Sequence, residues 1–524
     1  MVRIHLPPPM IEIYYENRIR ILDKLSPSLV AELKEEFEHK NPVYYKLRAR
    51  NIWPPKTEPA VISTWRLEQT GLSFPKGGLA RIEKILGRHK VEYKVVYPAI
   101  PSYPDHIGAE LCIRPYDYQQ RCIDAVCHPG GNIGLIKAPT GSGKSLTGVA
   151  IAATLDIPFL IVVHSTALLK QWMDRIRAAF QDAVEVGIIQ GKKFELKPLT
   201  IGMAQTLTKL PDSKWNQINT YFGGVIQDEV QFSAARSFIN VIDKCGMPYR
   251  IGLSADHTRK DKKEFLIYDL FGGVIKEINK EDLVNREFVH DVSVVMEPTE
   301  FEAEWFFIQR KANDLRNDHK SFDEIYSELR KHWPGITPQE VPFGNPDYSR
   351  LIGEMGESDC RNTQILDLVE KYTNAGHHTF VFAHRIDHCT GLVSKIRALG
   401  IECGLLLGGP ENKAEFQRTI AGIDNGTIKV GVGTWQALGT GIDCPRVSRG
   451  IMCTPINGKQ IWNQIRGRQC RRFPGKKDSE ITYLWDRKVF FDSPVKNMNS
   501  WNNDCKIWIR NSLVSSRDYL REKK

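Results

Sequence analysis

A glycine-rich loop between an apolar strand and a helix constrains this chain more than any other stretch. Residues 133–155 read IGLIKAPTGSGKSLTGVAIAATL, in which PTGSGKS separates a short apolar run from a helical one. Glycines at 141 and 143 carry no Cβ, so backbone N–H groups can approach phosphate oxygens closely. Lys144 would place a cation on the β- and γ-phosphates, and the Ser145 hydroxyl would ligate Mg²⁺. The predicted phosphate-binding loop consists of Thr140, Gly141, Ser142, Gly143, Lys144 and Ser145.

The same alternation of strands and helices occurs twice along the chain. Apolar strands IGLIKA, FLIVVH, TIGM, GGVIQ and RIGLS alternate with helices between about 111 and 290. The run from 360 to 486 repeats the pattern with TFVFAH, CGLLL, IKVGVGT, RGIMC and ITYLW. A skeleton Gly-x-x-Gln-x-Leu starts at 202 and again at 433. Because such alternation is typical of parallel sheets covered on both faces, we predict an α/β fold with two related lobes in tandem.

The segments outside the lobes differ from them in pattern. Before residue 105 the order of elements is β-α-β-β-α-β, with VYYKLRA (43–49) as one strand, and 17 Lys/Arg face 12 Asp/Glu. The predicted domains are an N-terminal α+β accessory DNA-binding domain (1–105), the first lobe (106–296), a helical linker or insertion (297–358), the second lobe (359–486) and a basic C-terminal helical tail (487–524).

The net charge, the cysteines and the N-terminal residues limit the classes of protein to which this chain can belong. The net charge of +10 indicates a polyanionic partner such as nucleic acid, although a basic protein without one has the same charge. The eleven cysteines form no Cys-x-x-Cys pair, and we interpret Cys122, Cys127 and His128 as core or surface residues. The N-terminus lacks an apolar signal core, so we expect a soluble, intracellular protein, located in the cytoplasm or nucleoid or, for a viral protein, in the host cytoplasm.

A carboxylate pair follows a third apolar strand. In GGVIQDEVQ, Asp228 would be the Mg²⁺ partner through water, and Glu229 would orient or deprotonate the attacking water. An isolated Asp-Glu pair is usually a solvated turn. Its position after an apolar run, downstream of the phosphate loop, favours a catalytic role.

The second lobe contains a candidate for charge stabilisation in phosphoryl transfer. QIRGRQCRR places Gln464, Arg468 and Arg471 at the spacing Gln-x-x-Gly-Arg-x-x-Arg. We predict that these arginines reach ATP when the lobes close. The alternative is a basic helix face that contacts the phosphodiester backbone.

Together these motifs resemble those of superfamily-two helicases and translocases, which implies that the two tandem lobes are RecA-like with parallel sheets. APTGSGKS, DEVQ, GLSAD, GTGID and QIRGRQCR are similar to motifs I, II, III, V and VI of that superfamily, over residues 114–472. RPYDYQQ resembles its adenine-reading motif. TIGMAQTL, RIGLSADHTRKD and GVGTWQALGTGID resemble the UvsW/XPB-like group of phage and cellular DNA helicases.

The resemblance implies roles for further residues. Gln119 and Arg114 would contact adenine, while Gly441 and Asp443 would face the nucleotide. The implied nucleic-acid contacts are His164, Thr166, Gln205, Thr206, His384, Arg385, Thr434 and Gln436. For the two glutamines, a role in satisfying strand-end backbone groups fits equally well. Gln231 and Asp256 stand where the family commonly has His and a hydroxyl residue, which leaves the coupling between ATP and nucleic acid open.

The implied function is an ATP- and Mg²⁺-dependent DNA helicase. The group acts on branched DNA by branch migration, fork regression, R-loop unwinding and strand annealing, in recombination, repair and replication. Its partners would be branched or duplex DNA bound without sequence preference, and a monomer is favoured. Alternatives are an RNA helicase, or the motor subunit or ATP-gated nucleic-acid clamp of a larger complex. Recombination or replication proteins are further implied partners.

Overall fold

A computed structural model of the chain describes residues 10–522, apart from residues 70, 99–102, 104, 129–131, 231–235, 256–260, 287, 339–340, 342–346, 440–443, 457, 491–492, 503–504 and 510–511. It divides into two compact units, Met1–Asn285 and Arg286–Lys524. Each unit contains one large, mostly parallel sheet, and the first unit also contains a small mixed sheet. The predicted α/β fold with two RecA-like lobes and a small N-terminal domain is confirmed.

The N-terminal domain forms a five-stranded sheet in the order β5-β6-β2-β1-β7. Its helices pack on the apolar side of this sheet through residues such as Leu33, Ile82 and Leu86. Ser26 starts the first helix, because its hydroxyl accepts a hydrogen bond of 3.3 Å from the Leu29 N–H. The elements are β1 (Ile11–Tyr15), β2 (Arg18–Ile21), α1 (Pro27–Glu36), β3 (Glu38–Lys40), α2 (Pro42–Arg48), β4 (Val61–Ser63), β5 (Arg66–Glu68), β6 (Gly71–Pro75), α3 (Leu79–Arg88) and β7 (Tyr93–Val96).

The prediction of a strand at VYYKLRA is wrong, since this stretch forms helix α2. Asn41 caps the helix by accepting a hydrogen bond of 3.1 Å from the Val43 N–H, and Pro42 occupies the first helical turn. Tyrosine and valine have a high propensity for strands. The Asn-Pro sequence at the start of this solvent-exposed segment nevertheless favours a helix.

The first lobe is built on an eight-stranded sheet in the order β11-β10-β12-β9-β13-β14-β8-β15. All neighbouring strands are parallel except the β10–β11 pair. The elements are α4 (Asp117–Cys127), β8 (Ile133–Lys137), α5 (Lys144–Leu155), β9 (Phe159–Val163), α6 (Thr166–Phe180), β10 (Val186–Gln190), β11 (Lys193–Phe194), β12 (Leu199–Met203), α7 (Ala204–Leu207), α8 (Asp212–Tyr221), β13 (Gly224–Asp228), α9 (Arg236–Lys244), β14 (Tyr249–Ser254), α10 (Phe265–Phe271), β15 (Val274–Glu277) and α11 (Lys280–Asn285).

Alternate residues of the central strands feed two cores, one on each face of this sheet. In β9, Ile161 packs into the core that includes α5 and α6, whereas Leu160 and Val162 pack into the core that includes α8, α9 and α10. A strand buried on both faces reads as a continuous apolar run, which is how FLIVV appears in the sequence.

The second unit repeats this architecture with the strand order β18-β19-β17-β20-β21-β16-β22-β23. Its elements are β16 (Val292–Pro298), α12 (Glu304–Asn317), α13 (Phe322–His332), α14 (Tyr348–Glu357), α15 (Asp359–Asn374), β17 (Thr379–Ala383), α16 (Ile386–Ala398), β18 (Cys403–Leu406), α17 (Lys413–Asn425), β19 (Val430–Thr434), α18 (Trp435–Gly439), β20 (Arg449–Met452), α19 (Lys459–Gln469), β21 (Ser479–Trp485), α20 (Arg487–Phe490), α21 (Ser493–Asn502), β22 (Lys506–Ile509), β23 (Ser512–Ser515) and α22 (Ser516–Glu522).

Two segments of the second unit differ from the sequence-based division. Strand β16 pairs in parallel with β21, so residues 292–296 join the second sheet, although the predicted boundary assigned them to the first lobe. The C-terminal tail is not only helical, because β22 and β23 form an antiparallel hairpin that extends the same sheet beyond β16. The short helices and strands of the tail give only a weak periodic pattern of apolar residues in the sequence. The pairing instead depends on the neighbouring strand β16, which supplies backbone hydrogen-bond partners for β22.

No helix in the part of the chain that the structure describes is long and apolar enough to cross a membrane.

Buried ion pairs join the N-terminal domain to the first lobe. Arg18 lies within 2.9 Å of Asp243, and both side chains are almost fully buried. Arg66 contacts the same carboxylate at 2.5 Å. A second carboxylate of the lobe, on Asp269, accepts hydrogen bonds from His39, Thr64 and Arg81. Because each buried charge has several partners, the two domains are joined as one packed body rather than by a loose linker.

We predict that Asp243→Asn lowers the free energy of unfolding of the first unit by about 3–5 kcal/mol, because the Arg18 guanidinium is left buried without its counter-charge. Denaturant unfolding followed by tryptophan fluorescence measures the effect. The matched control is Asp212→Asn, whose carboxylate is 90% exposed and pairs with Lys244 on the surface. It should cost under about 1 kcal/mol, and equal losses in the two variants would contradict the buried-pair account.

Candidate active site

The phosphate loop lies between the end of β8 and the start of α5, as predicted. Gly141 and Gly143 adopt φ angles of 90° and 77°, which only glycine reaches without strain. A Cβ on Gly143 would lie 2.6 Å from Nε2 of Gln119, so the Gln119 amide would have to shift to accommodate it. The Lys144 ammonium donates to the carbonyls of Ala138 at 3.1 Å and Pro139 at 3.4 Å. The lysine is therefore folded over the loop, within reach of a bound phosphate.

Gln119 and Tyr118 brace this loop from helix α4. The Gln119 amide donates to the Ser142 carbonyl at 3.1 Å and accepts from the Tyr116 N–H at 2.9 Å. The Tyr118 hydroxyl donates to the same Ser142 carbonyl at 2.9 Å. Gln119 therefore fixes the loop, and its contact with adenine stays a prediction. Arg114 lies exposed near the start of this helix. Tyr118 was not among the residues predicted from the sequence.

Asp228 and Glu229 lie at the end of β13, two strands from β8 on the same edge of the sheet. The Asp228 carboxylate accepts hydrogen bonds of 2.9 Å from the Trp172 indole and from the Glu229 N–H. Burial and the charge of Glu229 raise the pKa of Asp228 to about 6, while the Lys144 ammonium acts in the opposite direction. The charge of Lys144 in the loop therefore affects the pKa of Asp228, as expected if the loop and the carboxylates form one site.

Two local features fit a site for a nucleotide and its metal. The hydroxyl of Ser142 is buried and has no hydrogen-bond partner among the described residues, so the loop retains an unused polar group. Glu229 adopts φ of 54°, a left-handed conformation that costs a non-glycine residue energy and is concentrated at functional sites. Hydroxyl and carboxylate oxygens are ligands that Mg²⁺ prefers, and Ser145 and Asp228 supply them.

The predicted nucleic-acid contacts of the first lobe also end strands on this edge. Gln205 donates a hydrogen bond of 2.9 Å to the carbonyl of His164, which joins the ends of β9 and β12. Thr206 accepts from the Gly191 N–H at 3.0 Å, and Thr166 lies exposed at the start of α6. Burial lowers the pKa of His164, with the Glu229 charge opposing that shift. The Gln205 bond fits the alternative role in backbone satisfaction, although the residue itself is exposed.

The corresponding residues of the second unit lie at the ends of two paired strands, β17 and β19. His384 and Arg385 are exposed, and the Arg385 guanidinium pairs with Asp387 at 3.2 Å. Thr434 accepts a hydrogen bond of 3.3 Å from the Ala437 N–H, and Gln436 is exposed on helix α18. The structure therefore gathers these residues on one edge of the second sheet.

The predicted arginine motif lies on and just after helix α19. Gln464 and Arg468 are one turn apart on this helix, and Arg471 follows its end. All three side chains are partly buried. Gly441 and Asp443, as well as Gln231 and Asp256, lie outside the described residues.

Lys476 is a residue of this region that the sequence analysis missed. Its partly buried ammonium donates to four backbone carbonyls, those of Gln469 at 2.6 Å, Val447 at 2.8 Å, Arg471 at 3.0 Å and Pro445 at 3.2 Å. A cation is favourable there because the carbonyls at a helix C-terminus carry partial negative charge. Burial, with the nearby Arg449 and Arg471, lowers the pKa of Lys476 to about 8. No sequence rule separates Lys476 from its exposed neighbour Lys477.

Comparisons with known proteins identify proteins that are similar in sequence to this chain. The family model described as "Type III restriction enzyme, res subunit" matches residues 112–259. A probable helicase of Escherichia phage T5 is 24% identical over 353 residues, which cover 67% of each chain. A protein of Acanthamoeba polyphaga mimivirus, named as an ATP-dependent RNA helicase, is 32% identical over 34% of this chain and 35% of its own. The DNA 3'-5' helicase XPB of Mycobacterium tuberculosis is 29% identical over 30% of this chain and 29% of its own.

Solved structures show the shared fold. A fragment described as the HsdR subunit of a type I restriction enzyme from Vibrio vulnificus matches with a TM-score of 0.53 and 14% identity, over 93% of this chain and 83% of its own. S. cerevisiae Dbp5 bound to RNA and ADP BeF3 reaches 0.50 at 15% identity, over 75% and 89%. T4 UvsW reaches only 0.39 at 16% identity, over 91% and 90%, and supports no conclusion.

By homology the chain is an ATP-dependent helicase, that is, an enzyme that hydrolyses ATP. It is related to phage helicases and to XPB. Apart from the phage T5 protein, the relatives named above are matched over about a third of their own length.

We predict that Lys476→Met reduces ATP hydrolysis at every pH, because four carbonyls around the Gln469–Arg471 turn lose their shared donor. In the wild-type protein, activity should fall as pH rises through about 8, since the neutral amine donates fewer hydrogen bonds than the ammonium. Lys476→Arg, which stays charged, should lack that alkaline fall.

The measurement is the rate of ATP hydrolysis by each variant at about seven pH values between pH 6.5 and 9.5. Lys477→Met is the matched control, because this neighbouring lysine is exposed and should behave as wild type. Identical pH profiles for the wild type and Lys476→Arg would show that Lys476 does not control the turn.

Proposed function

We propose that the chain is an ATP-driven DNA helicase or translocase that acts on branched DNA. The observation that carries the proposal is the single sheet edge on which Lys144, Asp228 and Glu229 meet residues suited to contact a strand. A nucleotide bound there would lie near the Gln205–His164 contact, because His164 follows β9 and β9 pairs with β13, so hydrolysis and strand binding would share one support.

In this proposal each residue of the ATP site has one role. Backbone N–H groups of the loop bind phosphate oxygens, and Lys144 neutralises their charge. Mg²⁺, bound through Ser145 and Asp228, would further reduce the charge of the phosphates. Glu229 orients and deprotonates the attacking water. Gln119 and Tyr118 hold the loop so that it does not collapse between turnovers.

The second lobe completes the reaction in the proposed cycle. Arg468 and Arg471 would stabilise the charge of the transition state when the lobes close, which is the established use of arginine in phosphoryl transfer. If each lobe contacts the same strand through its own edge residues, closing and reopening alternate the two contacts and move the protein along the strand. Binding through phosphates would depend strongly on salt and weakly on sequence.

The branched-DNA part of the proposal rests on the UvsW-like phrases and on the DNA helicase XPB among the relatives. It includes branch migration, fork regression, R-loop unwinding and strand annealing in recombination, repair and replication. RNA is the second candidate substrate, because one relative is named as an RNA helicase. A motor subunit of a larger complex is the third, because the matching family model describes a restriction-enzyme subunit.

The three candidates differ in what stimulates ATP hydrolysis. We would compare single strands, duplexes, forks, four-way junctions and R-loops made of DNA, together with matched RNA. The proposal expects the greatest stimulation by branched DNA and strand separation by the chain alone. Preference for RNA would favour the second candidate, and a lack of activity without further proteins would favour the third.

We predict that Glu229→Gln lowers the turnover number for ATP by about 10²–10⁴-fold, because the amide cannot accept the proton of the attacking water. ATP affinity should stay nearly unchanged, since the phosphate loop is intact. Steady-state hydrolysis and equilibrium binding of ATP separate the two effects. Glu185→Gln is the control, because this exposed carboxylate pairs only with Lys197 on the surface. Unchanged turnover in Glu229→Gln would remove Glu229 from the mechanism.

A further inference from the structure

A cavity of about 290 Å³ lies where the N-terminal domain meets the first lobe. Its wall includes Asn17 and Arg66 of the N-terminal domain, and Trp215, Asp243 and Lys244 of the lobe. The lobe residues lie on helix α8 and in the last turn of helix α9. Among the described residues that line this interdomain cavity, none belongs to the phosphate loop.

The hydrogen-bond acceptors at this wall already have donors. The Asp243 carboxylate accepts two hydrogen bonds from the Arg18 guanidinium, at 2.9 and 3.1 Å, and one from Arg66 at 2.5 Å. The backbone carbonyl of Asp243 accepts from the Asn17 amide at 3.2 Å. The negative charge of Asp243 is therefore offset inside the protein, and a ligand that needs an acceptor finds little capacity there.

Trp215 instead brings an unused donor to the wall. Its side chain is 3% exposed, and its buried indole N–H has no hydrogen-bond partner in the described part of the chain. A buried N–H that has lost water without gaining another partner is costly, and native structures contain few of them. An acceptor bound in the cavity would satisfy this indole.

Two cations at the same wall also have donors to spare. The Lys244 ammonium lies 5.9 Å from the centre of the Trp215 ring, and its ion pair at 3.0 Å is with Asp212, a carboxylate that is 90% exposed. An ammonium has three donors and a guanidinium has five, so Lys244 and Arg66 each keep donors beyond the pairs described. The cavity thus combines a surplus of donors with positive charge.

This combination selects the chemistry of the ligand. A water molecule would satisfy the indole but would bring two hydrogens of its own to a wall whose acceptors are occupied. A phosphate-class oxyanion brings acceptors on several sides and a negative charge, which strengthens its hydrogen bonds to Arg66 and Lys244.

We propose that the interdomain cavity binds a phosphate-class oxyanion. The Trp215 indole and the Lys244 ammonium donate to it from the first lobe, and the Arg66 guanidinium donates from the N-terminal domain. A bound anion therefore adds a further connection between the two domains. The same chemistry is offered by free phosphate and by a backbone phosphate of nucleic acid. The proposal goes beyond the proposed function, because this binding requires no ATP hydrolysis.

The first experiment measures thermal unfolding of the full-length protein in sodium phosphate and in sodium chloride of equal ionic strength. At about ten times its dissociation constant, an anion bound only to the folded state should raise the Tm of the first unit by about 2–3 °C. Lys244→Gln removes a cation, and Trp215→Phe removes the indole N–H but keeps an aromatic ring. Each variant should lose most of this shift, measured against its own Tm without phosphate.

The comparison between variants isolates the cavity from other effects of phosphate. Phosphate at the phosphate loop, and its general exclusion from protein surfaces, should stabilise every variant alike. Lys193→Gln is the control for charge, because this exposed lysine of the same unit pairs with Glu195 on the surface. Trp305→Phe is the control for the indole, since its N–H already donates to Glu354 at 2.8 Å. Both controls should keep the full shift.

The second experiment identifies the source of the phosphate. Binding of a fluorescent DNA oligonucleotide is measured for the same variants over a range of salt concentrations. If nucleic acid supplies the phosphate, Lys244→Gln should lower the slope of log affinity against log salt by about one, and Trp215→Phe should weaken binding. If a free anion is the ligand, both variants should bind the oligonucleotide as wild type does while losing the shift in Tm.

Loss of the phosphate shift, or of oligonucleotide affinity, in Lys244→Gln and Trp215→Phe but not in their controls supports the site. If both variants match the wild type in both experiments, the cavity holds water and the proposal is wrong. ATP hydrolysis by the wild type, measured in parallel, would then leave the motor proposal intact. A phosphate shift in a wild type that hydrolyses no ATP would instead overturn the motor proposal alone.

Discussion

The direction of parallel strands is the constraint on which this structure depends. Because neighbouring strands of the first lobe run the same way, their carboxyl ends meet at one edge of the sheet. The phosphate loop after β8, the carboxylates after β13 and His164 after β9 therefore lie on that edge, although they are far apart in the sequence. Any change that reversed or shifted one strand would separate Lys144 from Asp228 and remove the site.

The structure distributes its buried charges according to their use. Charges that join the N-terminal domain to the first lobe are paired, as Arg18 is with Asp243 and Arg81 with Asp269. The candidate ATP site instead retains a buried hydroxyl without a hydrogen-bond partner among the described residues, that of Ser142, and a carboxyl with a raised pKa, that of Asp228. Paired charges make a rigid support, whereas incompletely satisfied groups are available to a ligand.

Patterns local in sequence predicted the fold, and they singled out the loop and the carboxylates that the structure gathers at the candidate ATP site. Apolar runs of five residues separated by helical stretches define the strands of both lobes, and glycines at 141 and 143 define the loop between strand and helix. The predictions failed where a distant partner, or a helix cap that outweighs strand propensity, decides the structure. The hairpin of β22 and β23 depends on β16, and helix α2 depends on a cap at Asn41 rather than on its aromatic residues.

The same limit applies to the roles of single residues. The resemblance of RPYDYQQ to an adenine-reading motif predicts that Gln119 lies near the nucleotide, but only the folded chain shows its amide donating to the Ser142 carbonyl. In the sequence, Lys476 cannot be distinguished from an exposed lysine. In the folded chain, four carbonyls from two separate segments surround its ammonium.

In the proposed function, a triphosphate bound at the edge of the first sheet would be hydrolysed with help from an arginine of the second lobe. The most direct test is single-turnover ATP hydrolysis by Arg468→Ala with saturating DNA, next to Arg418→Ala, which changes an exposed arginine of the same unit. The account predicts that the first variant hydrolyses ATP about 10³–10⁵-fold more slowly with nearly unchanged ATP affinity, and that the second resembles wild type. Equal rates in the two variants would contradict it.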